Sequence, residues 1–189
     1  NYSSYSPWKI KNQSFKELEA GLKKEINKLF VNIIKEARGR RIIVPLSAGL
    51  DSRLIISGLK QYNYKNVRCF SYGLKNNFES LSAEKISKKL GYKWKFVEIT
   101  YKTASKFFKS NTFNEYLINS NDGVSVPSLH SMFAIDKLIK DKFINKNDII
   151  INGNSGDFIS GGHIPKNVTF SSNKNIKVKK LFDQIFNFH

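Results

Sequence analysis

The residues of this chain best suited to chemistry lie in the run Val44-Pro45-Leu46-Ser47-Ala48-Gly49-Leu50-Asp51-Ser52-Arg53. An apolar β-branched segment precedes it and a helix-like segment, Leu54 to Leu59, follows. A small-residue loop between a strand and a helix turns several backbone N–H groups toward one point, with the helix dipole behind them. That arrangement suits an anion, above all phosphate. Small side chains at Ser47, Ala48 and Gly49 let a ligand approach the main chain closely. A bare carboxylate at Asp51 would repel phosphate. A divalent cation between them removes the conflict, because hard cations take carboxylate and phosphate oxygens together.

A second run, Asp148 to Phe158, is again an apolar segment ending in a glycine-rich turn with a carboxylate, Asp157. Gly161-Gly162-His163 follow it. The two runs come in order, about 100 residues apart.

Ser47 to Ser52 resembles the PP-loop, the S-G-G-x-D-S pyrophosphate-binding signature of ATP pyrophosphatases, with Ala48 in place of the usual first glycine. The longer phrase Pro45 to Arg53 resembles the asparagine-synthetase-like branch in particular. The other phosphate loop, G-x-x-x-x-G-K-[ST], has no match here. Gly153 to His163 is similar to the family's second motif, G-x-x-x-D-(x)n-G-G-[YH].

The resemblance implies that Asp51 and Asp157 share Mg²⁺ and that Gly153 and Gly156 shape the loop holding ATP. It implies that Phe70-Ser71-Tyr72-Gly73 bind adenosine, largely through main chain. Glu79 begins a helix where the family often has an acidic residue, although a first-turn glutamate also suits the helix dipole. Ser125 to Ser128 resembles the family's substrate-side loop, and equally a plain helix-entry turn. His163 lies in the second motif. His130, His163 and His189 lack metal-ligand spacing.

The implied reaction is an ATP-dependent amide synthesis: a carboxylate is adenylated, pyrophosphate leaves on Ser47 to Ser52, and ammonia expels AMP. Loop and cation would stabilise charge moving onto pyrophosphate, so positioning and electrostatics suffice without a nucleophilic side chain. Ser71-Tyr72-Gly73 and Gly162-His163-Ile164-Pro165 resemble members linked to bacterial surface-polysaccharide synthesis, which makes an amidated sugar acid a candidate product beside asparagine. Two departures stand out. Asn154 occupies the place of a family glutamate, and a downstream lysine that supports phosphoryl departure has no assignable counterpart. A PP-loop tRNA-modifying enzyme, or a degenerate nucleotide-binding module, are the alternatives.

With 189 residues, one domain is the expectation. Asn1 to Ser14 reads as a linker from an upstream domain, and the family's glutaminase domain would supply ammonia there or as a partner. Residues 15–165 read as the synthetase domain, and 166–189 as a basic segment with a short C-terminal helix. The net charge is +17, but 27 of the 32 basic residues are Lys and 5 are Arg. Recognition of phosphate forks and bases leans on Arg, so a composition bias, rather than a nucleic-acid partner, is the reading. No apolar run approaches a membrane span. One cysteine, Cys69, in an apolar run, predicts a buried thiol and fits a reducing cytoplasm.

Hydrophobic periodicity predicts helices over Phe15–Ala37, Arg53–Gln61, Glu79–Leu90 and Leu129–Lys140, and helical segments over Tyr101–Leu117. Strands are expected at Arg41–Leu46, Val67–Tyr72, Lys93–Thr100 and Asp148–Asn152. Strands alternating with helices predict an α/β fold: a parallel twisted sheet with helices on both faces and ligands at the strands' carboxyl ends. Both motifs fall at such ends. The resemblance implies the adenine nucleotide α-hydrolase-like version of that fold.

Overall fold

The computed structural model describes residues 13–120 and 128–153. Helix α1 spans Phe15–Ala37. Ser14 caps it reciprocally: the Glu17 N–H donates to Ser14 Oγ at 3.3 Å and the Ser14 N–H donates to the Glu17 carboxylate at 2.8 Å. The Ser14 N–H and then its hydroxyl, both donating to the Glu17 carboxylate, favour the ionised form and lower the Glu17 pKa. The helix stops where Arg38 and then Gly39 take left-handed conformations, with φ of 49° and 74°.

The chain continues through β1 (Ile42–Pro45), α2 (Leu50–Gln61), β2 (Val67–Gly73), α3 (Phe78–Leu90) and β3 (Lys93–Glu98). Helices α4 (Tyr101–Phe108), α5 (Asn111–Ser120) and α6 (Leu129–Lys140) then lead to β4 (Ile149–Ile150). All three strand pairings are parallel, in the order β3-β2-β1-β4. The chain therefore winds outward from β1 to β3 and crosses back to place β4 on the other side of β1. Side chains alternate across the sheet. Ile42, Val44, Leu46 and Cys69 pack with Phe30, Ile56, Leu59 and Ala83 of α1, α2 and α3. Ile43, Phe70 and Val97 pack with Phe107, Phe113, Phe133 and Leu138 of α4, α5 and α6. Helices cover both faces, as the sequence pattern predicts.

Several boundaries differ from expectation, each for a local reason. Helix α2 begins at Leu50, not Arg53, so Asp51 and Ser52 belong to its first turn. Strand β3 stops at Glu98 because the Thr100 hydroxyl accepts from the Thr103 N–H and caps α4. The helical stretch after it is broken at Ser110. Its hydroxyl donates to the Phe107 carbonyl and accepts from the Phe113 N–H, closing α4 and opening α5. The apolar stripe expected along α1 also divides. Ile26, Phe30 and Ile33 reach the core, whereas Phe15, Leu18, Leu22 and Leu29 are exposed among the described residues. A 23-residue helix is roughly 34 Å long, and the four-residue strand it covers is far shorter.

Strand β4 is held at its start by a bidentate ion pair. Arg41 Nε and Nη2 donate to the Asp148 carboxylate at 2.8 to 3.1 Å, and Asp148 also accepts from the Asn145 N–H. The β1–β4 ladder runs through Ile149 N–H to Arg41 O and Ile151 N–H to Ile43 O. Pro45 has no N–H to carry it further. The two strands part there, at the point where the winding reverses, which is where open α/β sheets form their ligand crevice.

Candidate functional site

A cavity of about 310 Å³ opens at this switch point. Its wall from β1 and the following loop is Pro45, Leu46, Ser47, Gly49, Asp51 and Ser52. Phe70, Ser71 and Tyr72 of β2, Glu79 of α3, and Asn152-Gly153 beyond β4 complete it.

The first loop is tightened by its serines. The Ser52 hydroxyl accepts from the Ser47 N–H at 3.2 Å and lies 3.1 Å from the Ser47 hydroxyl, which accepts from the Gly49 N–H. Gly49 is the N-cap of α2 and supplies no side-chain cap. The first-turn N–H groups therefore keep their donor capacity for a ligand, and the dipole adds positive potential. Asp51 sits in that first turn, its carboxylate without a hydrogen bond or ion pair among the described residues. A phosphate bound at that donor set would be repelled by the Asp51 carboxylate unless a divalent cation lay between them.

The second loop meets the first at Gly153. A Cβ built there would lie 2.7 Å from Asp51 Cβ and 3.0 Å from both the Asp51 carbonyl carbon and the Ser52 nitrogen. Only glycine lets the chain leaving β4 rest on the first turn of α2.

The expected adenosine segment lies on the opposite wall. Phe70, Ser71 and Tyr72 line the cavity; Gly73 does not. Two of their side-chain hydroxyls are already engaged. Ser71 Oγ donates to the Leu46 carbonyl at 2.6 Å and accepts from Trp94 Nε1–H at 3.0 Å. Tyr72 Oη is bonded to Ser131 Oγ, which is bonded to Ser128 Oγ at the start of α6. Ser71 therefore holds the loop entry to the sheet, a role that the sequence gives no local sign of. Ala48 of the loop and Leu50 at the start of α2 do not line the cavity, and Leu50 is 75% exposed.

Asn154, Gly156, Asp157 and His163, with Ser125 to Pro127, lie outside the described residues. Among the described residues no three His, Cys, Asp or Glu side chains stand together as a metal site.

The profile of the family described as Asparagine synthase matches residues 37–182, most of the chain and both loops. The chain belongs to the asparagine synthase family. Its members use ATP. Among solved structures this asparagine synthase-family chain is similar to an NH3-dependent NAD synthetase from Campylobacter jejuni subsp. jejuni, in complex with the nitrate ion. That match has 17% identity and a TM-score of 0.47, over 73% of this chain and 58% of that one. It is also similar to a predicted subunit of tRNA methyltransferase from Methanocaldococcus jannaschii, at 15% identity and a TM-score of 0.33, over 79% and 64%. The chain thus spans less than two thirds of either structure's length. No curated protein matches the chain. Among the described residues no helix is long and apolar enough to cross a membrane.

Proposed function

We propose that this chain is the synthetase part of an ATP-dependent amide-forming enzyme. It adenylates a carboxylate, releases pyrophosphate and passes ammonia to the activated carbon. The observation that carries the reading is the contact of Gly153 with Asp51, which joins the two family loops around one cavity at the sheet's switch point. In this reading the backbone of Ser47 to Ser52 and the α2 dipole hold the triphosphate and the departing pyrophosphate. Asp51, with Asp157, holds Mg²⁺, which would neutralise the phosphate charge that Asp51 alone repels. Main-chain groups of Phe70 to Tyr72 hold adenosine. Residues 15–165 form the synthetase domain, fed with ammonia by a glutaminase domain upstream or as a partner, in the cytoplasm. The acceptor is a small carboxylate, a sugar acid or aspartate.

The test is release of AMP and pyrophosphate from Mg²⁺-ATP with ammonium and a panel of aspartate and uronic acids. Release that depends on one acceptor and disappears in Asp51→Ala supports the reading. ATP binding with no release for any acceptor would favour a degenerate nucleotide-binding module.

A further inference from the structure

Glu79 lies in the first turn of α3, where it lines the cavity. Its carboxylate has no hydrogen bond or ion pair among the described residues. Among the described residues lining the cavity there is no Lys, Arg or His. A carboxylate facing the site of a polyanion is tolerated only beside a cation or beside an uncharged part of the ligand. The phosphate end is fixed by the N-terminus of α2, where Asp51 already stands. Glu79 enters from the next βα unit out, after β2, on the side of Phe70 to Tyr72. In the ATP reading above, that side would hold the adenosine, whose vicinal ribose hydroxyls need an acceptor. The neighbouring hydroxyls are engaged: Ser71 with Leu46 and Trp94, and Tyr72 with Ser131. Among the described residues, Glu79 is the one carboxylate on this wall. A carboxylate that follows the second strand of a nucleotide-binding sheet is well placed to accept from a ribose hydroxyl.

We propose that Glu79 accepts hydrogen bonds from the ribose hydroxyls of the bound nucleotide and makes the site selective for ribonucleotides. The proposal rests on the ATP reading above and adds to it the residue that reads the sugar. Hydrogen bonds to a charged acceptor are among the stronger ones, and 2′-deoxy-ATP would lack one of them.

The experiment is calorimetric titration of the full chain with ATP and with 2′-deoxy-ATP, each with Mg²⁺ and with chelator, for the wild type, Glu79→Gln and Glu79→Ala. Wild type should bind ATP about tenfold or more tightly than 2′-deoxy-ATP. Glu79→Ala should bind the two within about twofold of each other, because its loss falls on ATP. Glu79→Gln, which keeps one acceptor oxygen, should fall between. Melting curves of the variants should match the wild type, since Glu79 is exposed and bonded to nothing described. Equal wild-type affinity for both nucleotides, or an unchanged ratio in Glu79→Ala, overturns the proposal while leaving the ATP reading intact. A loss that is equal for both nucleotides and seen only with Mg²⁺ would also overturn it, making Glu79 a metal ligand. Absence of any ATP binding by wild type would sink both.

Discussion

Gly153 sits against the backbone of Asp51, so close that a Cβ on the glycine would come within 2.7 Å of Asp51 Cβ. The atoms it would strike include the Asp51 carbonyl carbon and the Ser52 nitrogen, and neither can turn aside as a flexible side chain would. Gly153→Ala must therefore push the chain beyond β4 away from α2. The cavity would widen at the phosphate end. Overpacking of this kind costs about 1–3 kcal/mol, and we expect Mg²⁺-ATP affinity to fall about tenfold, equivalent to about 1.4 kcal/mol. Calorimetry beside a melting curve checks this; unchanged affinity would show that the contact does not shape the nucleotide site.

Asp51 should give a change of sign. If Asp51 holds Mg²⁺ as proposed, Asp51→Asn with Mg²⁺ present removes a metal ligand. Outer partners of a metal are already worth about 10–100-fold, so ATP affinity should fall at least about tenfold. Without metal the same substitution removes a carboxylate that repels phosphate, and ATP should bind more tightly than to wild type. Titrations with Mg²⁺ and with chelator decide it. A loss of equal size in both conditions would mean that Asp51 acts through α2 alone.

How far the chain could be read in advance differs between its two loops. Ser47 to Ser52 announces itself because small and polar residues between an apolar run and a helical period have few other uses. The same composition hid where α2 begins. Ser, Gly and Asp favour turns, yet burial of Ser52, Ile56 and Leu59 carries helix back to Leu50 and puts Asp51 on its first turn. The seat of Gly153 on Asp51 had no local signal at all. It follows from β4 crossing back beside β1, and from Pro45 ending that ladder. Ser71 is a similar case. Its type suits adenosine binding as well as anything else, and only the fold brings Leu46 and Trp94 to its hydroxyl.

Ser71→Ala tests that junction. It leaves the Leu46 carbonyl and the Trp94 indole N–H without their buried partner. An unpaired buried polar group costs about 1–3 kcal/mol; the Leu46 carbonyl becomes one, while the half-buried Trp94 N–H lies partly within reach of water. The denaturation midpoint should drop accordingly, followed by urea titration. A variant as stable as wild type would mean that water replaces the hydroxyl.

Helix α1 meets α2 where Gly58 faces the ring of Phe30. A Cβ on Gly58 would lie 2.0 Å from Phe30 Cζ and 2.3 Å from both Cε atoms. Alanine gains about 1 kcal/mol over glycine within a helix. The Phe30 ring is buried and stacked on Tyr62 at 6.2 Å, so it cannot yield without disturbing the core. Overpacking of about 1–3 kcal/mol should outweigh the helical gain, and Gly58→Ala should melt below wild type. The double variant Gly58→Ala with Phe30→Leu should recover part of the difference if the clash is the cause.

Cys69 lies in the middle of β2, fully buried, and burial pushes its thiol up to about 12 from an ordinary 9.0. Tyr92 is pushed up to about 12 from 10.0, by burial first and then by the neighbouring Cys69. Both groups stay protonated in the fold and ionise sooner in the unfolded chain. Their contribution to stability is therefore complete below about pH 9 and is lost as pH rises from there toward 12. The melting temperature should fall progressively over that window, and its slope with pH should be shallower in Cys69→Ala, which no longer has a thiol to ionise. A neutral alkylating reagent near pH 8 should leave the folded protein unlabelled and label it fully in denaturant. Rapid labelling of the folded chain would place Cys69 in contact with solvent and remove the basis for the alkaline slope.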